Sequence, residues 1–213
     1  MRDVLTPVKA LIFRITHINN IPWILANGVH CRESPSVDPN FINIGCPDLI
    51  EKRKRRVVPV PPGGTLSAYV PFYFTPLSPM LLNIKTGRNG VALRPMSEIV
   101  ILVSSLHRVR ELSLEYLFTN QHAYTTAPEY FSDLSHLSRL DWEILQTRDF
   151  KRDLNDPAKI ERYMAEALIH HHVPVSAILG MVCHGPEQLE WLRGKQEESG
   201  VSLKTVVKPD WYF

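Results

Sequence analysis

Two secondary-structure periods meet around a polar knot in the stretch Leu11-Ile-Phe-Arg-Ile-Thr-His-Ile-Asn-Asn-Ile-Pro-Trp-Ile-Leu-Ala-Asn-Gly28, and this junction restricts the fold more than any other segment. Leu11 to Ile15 is rich in strand formers, with Arg14 standing among apolar neighbours. From Asn20 onward Ile21, Ile24 and Leu25 recur at helical spacing, Pro22 is tolerated in a first turn, and Gly28 fits a C-terminal cap. The stretch therefore reads as strand, short polar turn, helix. Thr16 or an asparagine can cap such a helix. Capping leaves Arg14 unexplained, so the polar set Arg14, Thr16, His17, Asn19 and Asn20 is read as a ligand-binding junction.

The chain has 213 residues, enough for a substantial core in one domain spanning 1–213. No apolar run approaches the ~18 residues of a membrane span, and the first residues lack the apolar core of a signal peptide, so no membrane association and a cytoplasmic location are expected. Cys31, Cys46 and Cys183 are odd in number and far apart, which argues against a disulfide framework or a CxxC metal site. Net charge is only +2, yet residues 1–110 hold 14 Lys and Arg against 6 Asp and Glu, whereas 111–213 hold 10 against 16. A basic first half points to a polyanionic partner, unless folding mixes the halves.

The local charge cluster lies at Glu51-Lys-Arg-Lys-Arg-Arg56, with a helix entrance before it at Cys46-Pro-Asp-Leu-Ile50 and a helix-ending Pro/Gly run after it through Gly64. On one helical turn these cations repel one another; phosphates nearby would relieve them, and a solvated basic face is the alternative. Tyr69 to Phe74 reads as a short strand whose three consecutive rings, Phe72, Tyr73 and Phe74, fall on both faces, so one can stack on a flat heterocycle while two fill the core. Met80 to Gly90 reads as running through a polar loop, 99–103 as a buried strand, and Tyr116 to Phe118 as another, with a polar patch containing His122 at its carboxyl end. Glu129 to Leu140 has an amphipathic helix pattern, and Asn155-Asp-Pro157 is a helix start running to Met164. Residues 165–174 fit either a helix or a strand. As a strand, Glu166 shares a face with Leu168 and His170, and a carboxylate there needs a cation.

Adjacent histidines on a strand point to opposite faces, so His170-His-His172 offers no zinc spacing and no metal is expected. Dinucleotide G-x-G-x-x-G, phosphate-loop and G-x-S-x-G signatures are missing from the sequence. What remains is Arg14-x-Thr16-His17 on a first strand, Tyr73 on a second and Glu166 on a late one. That order resembles the ADP-ribosyltransferase fold, a mixed α/β (α+β) architecture of central β-sheets with flanking helices. More narrowly, Ile15-Thr-His-Ile-Asn-Asn20, the 51–56 run ahead of Pro-Pro-Gly-Gly64, Tyr69-Val-Pro-Phe-Tyr-Phe74 with Ser78-Pro-Met80, Phe118-Thr-Asn-Gln-His122, Ala165-Glu-Ala-Leu-Ile169 and Asp210-Trp-Tyr212 resemble the DarT toxins, bacterial enzymes that ADP-ribosylate bases in single-stranded DNA.

The resemblance implies that Arg14, Thr16, His17 and Asn20 help hold NAD, that Tyr73 stacks on the nicotinamide, and that Glu166 is catalytic, with Arg53 and His122 as its companions and Arg53 also touching NAD. It implies Lys52, Lys54, Arg55, Arg56 and Arg88 as contacts for single-stranded DNA, thymine as acceptor with guanine the competing base, and a cognate macrodomain-type antitoxin hydrolase as partner. A non-catalytic nucleic-acid-binding domain, or a transferase acting on RNA or protein, is the alternative.

Overall fold

In the computed structural model, which describes residues 4–213, the junction folds as read: β1 (Leu11–His17) passes through a 3-10 turn at Ile18–Asn20 into α1 (Ile21–Asn27). Gly28 ends the helix at φ 76°, where a side chain would meet the Val173 carbonyl. There follow β2 (Val29–His30), α2 (Pro47–Arg53), β3 (Tyr69–Tyr73), α3 (Pro79–Thr86), β4 (Ile99–Ser105), α4 (Leu106–Glu111), β5 (Tyr116–Thr119) and β6 (Tyr130–Phe131). The remainder comprises α5 (Trp142–Gln146), α6 (Lys159–Tyr163), β7 (Glu166–His170), β8 (His172–Val173), β9 (Gly180–Cys183), α7 (Pro186–Ser199) and β10 (Lys204–Val207).

Eight strands form one mixed sheet in the order β10-β9-β4-β1-β3-β7-β5-β6, with β9 and β10 parallel and the other neighbours antiparallel; β2 and β8 make a small second sheet. The basic half supplies the three central strands β4, β1 and β3, so the two halves of the chain share one sheet. Period-two alternation sends Ile12 and Leu102 into the core on one face, with Ile24, Leu25 and Leu192 of α1 and α7, and Phe13 and Ile101 into the core on the other, with Leu81 and Ile84 of α3. Burying both faces makes the sheet a rigid frame for whatever its strands present at the edges of any gap.

Such a gap exists. β1 pairs with β4 from Leu11 to His17, but with β3 only at Phe13–Tyr73. Beyond that pair the strands diverge, Pro71 has no N–H to extend the ladder, and its carbonyl accepts instead from Arg14 Nη1 at 2.9 Å. The sheet is split between β1 and β3.

Three local readings are corrected. Residues 129–140 do not form one helix: Tyr130 and Phe131 pair with Thr119 and Phe118, and a 3-10 helix follows at Leu134–Arg139. Phe131, Leu134, Leu137 and Leu140 recur every three residues, the 3-10 period, and the Asp133 carboxylate accepts from Ser135 N at 2.8 Å at its start. The 80–90 segment contains α3, opened by Ser78 Oγ accepting from Leu81 N and closed by Gly87 at φ 67°. The 155–164 helix begins later, at Lys159. Residues 165–174 resolve as strand, with His171 at φ 57° breaking β7 from β8. No helix among the described residues is long and apolar enough to cross a membrane.

Candidate active site

Glu166 opens β7 directly across the ladder from Tyr73, and it is 1% exposed. Its backbone N–H donates to Thr119 Oγ1 at 3.2 Å, which fixes the strand start to the end of β5. A buried carboxylate needs compensation. Arg53 Nη1 supplies it, standing 3.0 Å from both Oε1 and Oε2, and His122 Nε2 lies 3.5 Å from Oε1. His122 is itself held by its backbone N–H donating to the Glu161 carbonyl at 2.8 Å. Burial, and then the Arg53 charge, hold the His122 imidazole below its ordinary pKa of 6.5 against the opposing pull of Glu166, which favours the neutral ring at pH 7.

Arg53 reaches the carboxylate because α2 delivers it. Pro47 and Asp48 suit the helix start, Lys52 and Arg53 fall in the last turn where the dipole favours cations, and the helix ends before the remaining charges accumulate. The cations then part company. Lys54 pairs with Glu51 at 2.7 Å, while Lys52 and Arg55 are exposed. Arg56 Nη2 donates to the Thr125 carbonyl at 2.5 Å and its guanidinium lies 5.9 Å from the Tyr124 ring, so Arg56 braces the loop that carries His122. Arg88 is exposed just beyond α3.

The split between β1 and β3 opens into a cleft with about 970 Å³ of open space, mouth included. Arg14, Thr16, Tyr73, Arg53, His122 and Glu166 all line it, and Leu49, Ile50 and Met80 give it apolar walls. Burial above all, then the Arg32 and Arg53 charges, lower the Arg14 guanidinium to about 10, so it stays cationic at neutral pH. Burial and the Glu166 charge push the Tyr73 phenol up, keeping it protonated. Phe72 and Phe74 go into the core and Tyr73 faces the cleft, as three consecutive rings on a strand require.

His17 and Asn20, expected as ligand contacts, lie outside the cleft wall. His17 Nδ1 accepts from Asn19 N at 3.1 Å and its Nε2 is 3.3 Å from Glu98 Oε2, an atom shared with Arg94 at 3.0 Å. Asn20 is fully buried: Nδ2 donates to Thr16 Oγ1 at 3.1 Å and to the Ile42 carbonyl at 3.0 Å, and Oδ1 accepts from Ile42 N at 2.9 Å. It fastens the 31–46 loop over the junction. That loop brings Arg32, Phe41 and Asn43 to the cleft, residues that no periodicity singles out. The three histidines are occupied otherwise, His170 with Glu115 at 3.0 Å, His171 with Cys31 Sγ at 3.9 Å and His172 with the Asn27 carbonyl at 2.8 Å. Among the described residues no group of three or more His, Cys, Asp or Glu side chains is placed to hold a metal ion, and the three cysteines are free.

A mixed sheet split beside a buried glutamate, with an aromatic ring on the facing strand, defines an ADP-ribosyltransferase fold. The chain belongs to the DarT family: the model for "ssDNA thymidine ADP-ribosyltransferase, DarT" matches residues 13–213. A DNA ADP-ribosyl transferase of Escherichia coli O127:H6 is 51% identical over 213 residues, 98% of this chain and 96% of that protein. The Thermus sp. 2.9 DarT in complex with ADP-ribosylated single-stranded DNA superposes with a TM-score of 0.90 at 29% identity, covering 97% of this chain and 98% of that one. The same Thermus protein in complex with NAD+ superposes with a TM-score of 0.84 at 30% identity, covering 96% and 98%.

Proposed function

We propose that this chain transfers ADP-ribose from NAD to thymine in single-stranded DNA, with Glu166 as the catalytic carboxylate. The observation that carries the reading is the position of Glu166: buried, paired with Arg53, and on β7 opposite Tyr73 of β3, one of the two strands that border the split. The cleft suits a dinucleotide. It has apolar walls, a ring for the nicotinamide, and a buried donor still without a partner at Arg14 Nε.

Loss of nicotinamide leaves positive charge on the ribose carbon. A preorganised carboxylate in a water-poor site stabilises that charge, and Glu166 is held for the task by Thr119 and Arg53. Thymine is a poor nucleophile while its ring nitrogen keeps its proton. The Arg53 guanidinium orients the base or favours its deprotonated form; the neutral His122 ring accepts the proton. Lys52, Lys54, Arg55 and Arg88 offer the strand a cationic track. Thr16 lines the cleft directly, and His17 and Asn20 act on NAD through the shape of the junction.

The chain is read further as one domain acting in the cytoplasm, a toxin whose product is removed by a cognate macrodomain-type antitoxin hydrolase; membership of the DarT family supports this. Mass analysis of acceptors incubated with the protein and NAD tests the function. A thymine-containing single-stranded oligonucleotide gains one ADP-ribose per target. Gain on guanine, RNA or protein alone would move the reading to another acceptor, and no gain on any would leave a nucleic-acid-binding domain.

A further inference from the structure

His30, His170, His171 and His172 gather at the root of the 31–46 loop, outside the Glu166 cleft. His171, at φ 57°, ends β7 and turns the chain off the main sheet, so that β8 pairs with β2 alone, Val173 opposite Val29 and His172 opposite His30. On this two-stranded clasp the rings of His30 and His172 stack, their centroids 4.2 Å apart and their planes at 24°. His172 Nε2 donates to the Asn27 carbonyl at 2.8 Å, one of the carbonyls that the end of α1 leaves open, and His30 Nδ1 lies 3.1 Å from Ser34 Oγ in the loop. Gly28 leaves room for this arrangement, since a Cβ there would stand 2.6 Å from His172 Nε2. The pair thus joins the end of α1, β8 and the first turn of the loop that brings Arg32, Phe41 and Asn43 to the cleft.

Neutral imidazoles stack at this distance without penalty. Two imidazolium rings repel, and among the described residues no carboxylate bonds either ring of the pair to offset them. On the strand side, Glu115 is taken by His170 at 3.0 Å, and the His170 and His171 rings lie 3.7 Å apart. On the loop side, Glu33 accepts from Thr65 Oγ1 at 2.6 Å, and Cys31, Arg32 and Asp38 line the chamber beside His30 without bonding its ring. Burial, and then the His172 charge, hold His30 below its ordinary pKa of 6.5 against the opposing Asn27 carbonyl. Opening the clasp returns the rings to water, so the open form binds more protons than the closed one. The closed form therefore has its full advantage above about 6.5 and loses it as pH falls from there.

We infer that His30 and His172 are a positioning pair for the cleft, a clasp that holds the 31–46 loop only while the two rings carry at most one proton, so that acid loosens the loop and weakens NAD binding. The effect on NAD rests on the dinucleotide reading of the cleft; the effect on the loop does not. The clasp acts on NAD affinity, whereas His122 acts on the transfer rate once NAD is bound.

The test follows hydrogen exchange of residues 31–46, corrected for its intrinsic pH dependence, and NAD binding by calorimetry, on the full chain. From about pH 7.5 to about pH 5.5, loop exchange in wild type speeds up and the NAD dissociation constant rises by about fivefold or more. His172→Gln keeps a donor for the Asn27 carbonyl and cannot charge; it stays within about twofold of wild type at the higher pH and loses most of the acid effect on both readouts. His30→Asn, which keeps a polar group facing Ser34, repeats the test should the first variant melt early. An acid effect of wild-type size in both folded variants overturns the proposal, as does a wild-type loop indifferent to acid. Imidazole NMR of the wild type needs no variant: both rings protonated while the loop stays protected also overturns it. A loop that loosens in acid in a protein that binds no NAD at either pH leaves the clasp standing and overturns the dinucleotide reading of the cleft.

Discussion

Arg53 Nη1 stands 3.0 Å from each carboxylate oxygen of Glu166, so the end of α2 and the start of β7 are tied at one buried charge. Removing the cation strands a carboxylate that has almost no access to water. Arg53→Ala is expected to lose about 3 kcal/mol of stability by chemical denaturation. It abolishes DNA modification and leaves NAD binding nearly intact, because Tyr73, Arg14 and the backbone tie of Glu166 remain. A folded variant that loses NAD binding and DNA modification together would show the role to be wrong.

The pH response follows from His122. Its folded pKa lies below 6.5 because of burial, so on acidification the unfolded ring takes up its proton first. The contribution to stability is complete above about 6.5 and is lost as pH falls from there toward the folded value. The transfer rate, which needs the neutral folded ring, falls only below 6.5. Single-turnover rates across the acidic range should show this limb in wild type and lose it in His122→Asn. An identical limb in both would remove His122 as proton acceptor.

Asn20 does not itself line the cleft, yet its three hydrogen bonds close the 31–46 loop over β1. Asn20→Ala leaves the Ile42 N–H and carbonyl without their side-chain partner and should cost about 2 kcal/mol in thermal or urea unfolding. NAD affinity falls with it, since Arg32, Phe41 and Asn43 ride on the loop. Wild-type stability in this variant would mean that water replaces the asparagine without loss.

How much of this was legible in the sequence differs by residue. The strand-turn-helix junction, the buried strand at 99–103 and the inward ring at Tyr73 follow from short local patterns that the sheet only has to accept. Glu166 could be read only conditionally, because helix and strand share the pattern of 165–174; pairing with Tyr73 and Tyr116–Phe118 decides it. The start and stop signals of α3 were present in Ser78-Pro79 and Gly87, masked by the polar Lys85–Gly90 stretch. Arg32 and Phe41 sit in an aperiodic loop, and their place depends on Asn20 reaching 22 residues ahead to Ile42. His17 had the right neighbourhood, and its ring meets Glu98 without lining the cleft, a direction that no local pattern reveals.

Salt separates the cations of the 51–56 run. Lys52 and Arg55 are exposed and make no ion pair among the described residues, whereas Arg56 is engaged by Thr125. Lys52→Ala and Arg55→Ala should each reduce the slope of log affinity for single-stranded DNA against log salt by about 0.7. Arg56→Ala should leave that slope alone and slow transfer by loosening the His122 loop. Affinity that is flat between low and moderate salt in wild type would remove the phosphate contacts.

The most direct test is a paired measurement on Glu166→Gln, which keeps the shape of the side chain and removes its charge. NAD binding by calorimetry and ADP-ribose transfer to a thymine oligonucleotide by mass are read on the same preparation. The variant should bind NAD within a few-fold of wild type while transfer falls by about a thousandfold or more. Transfer at the wild-type rate with Glu166→Gln would contradict the assignment of the carboxylate.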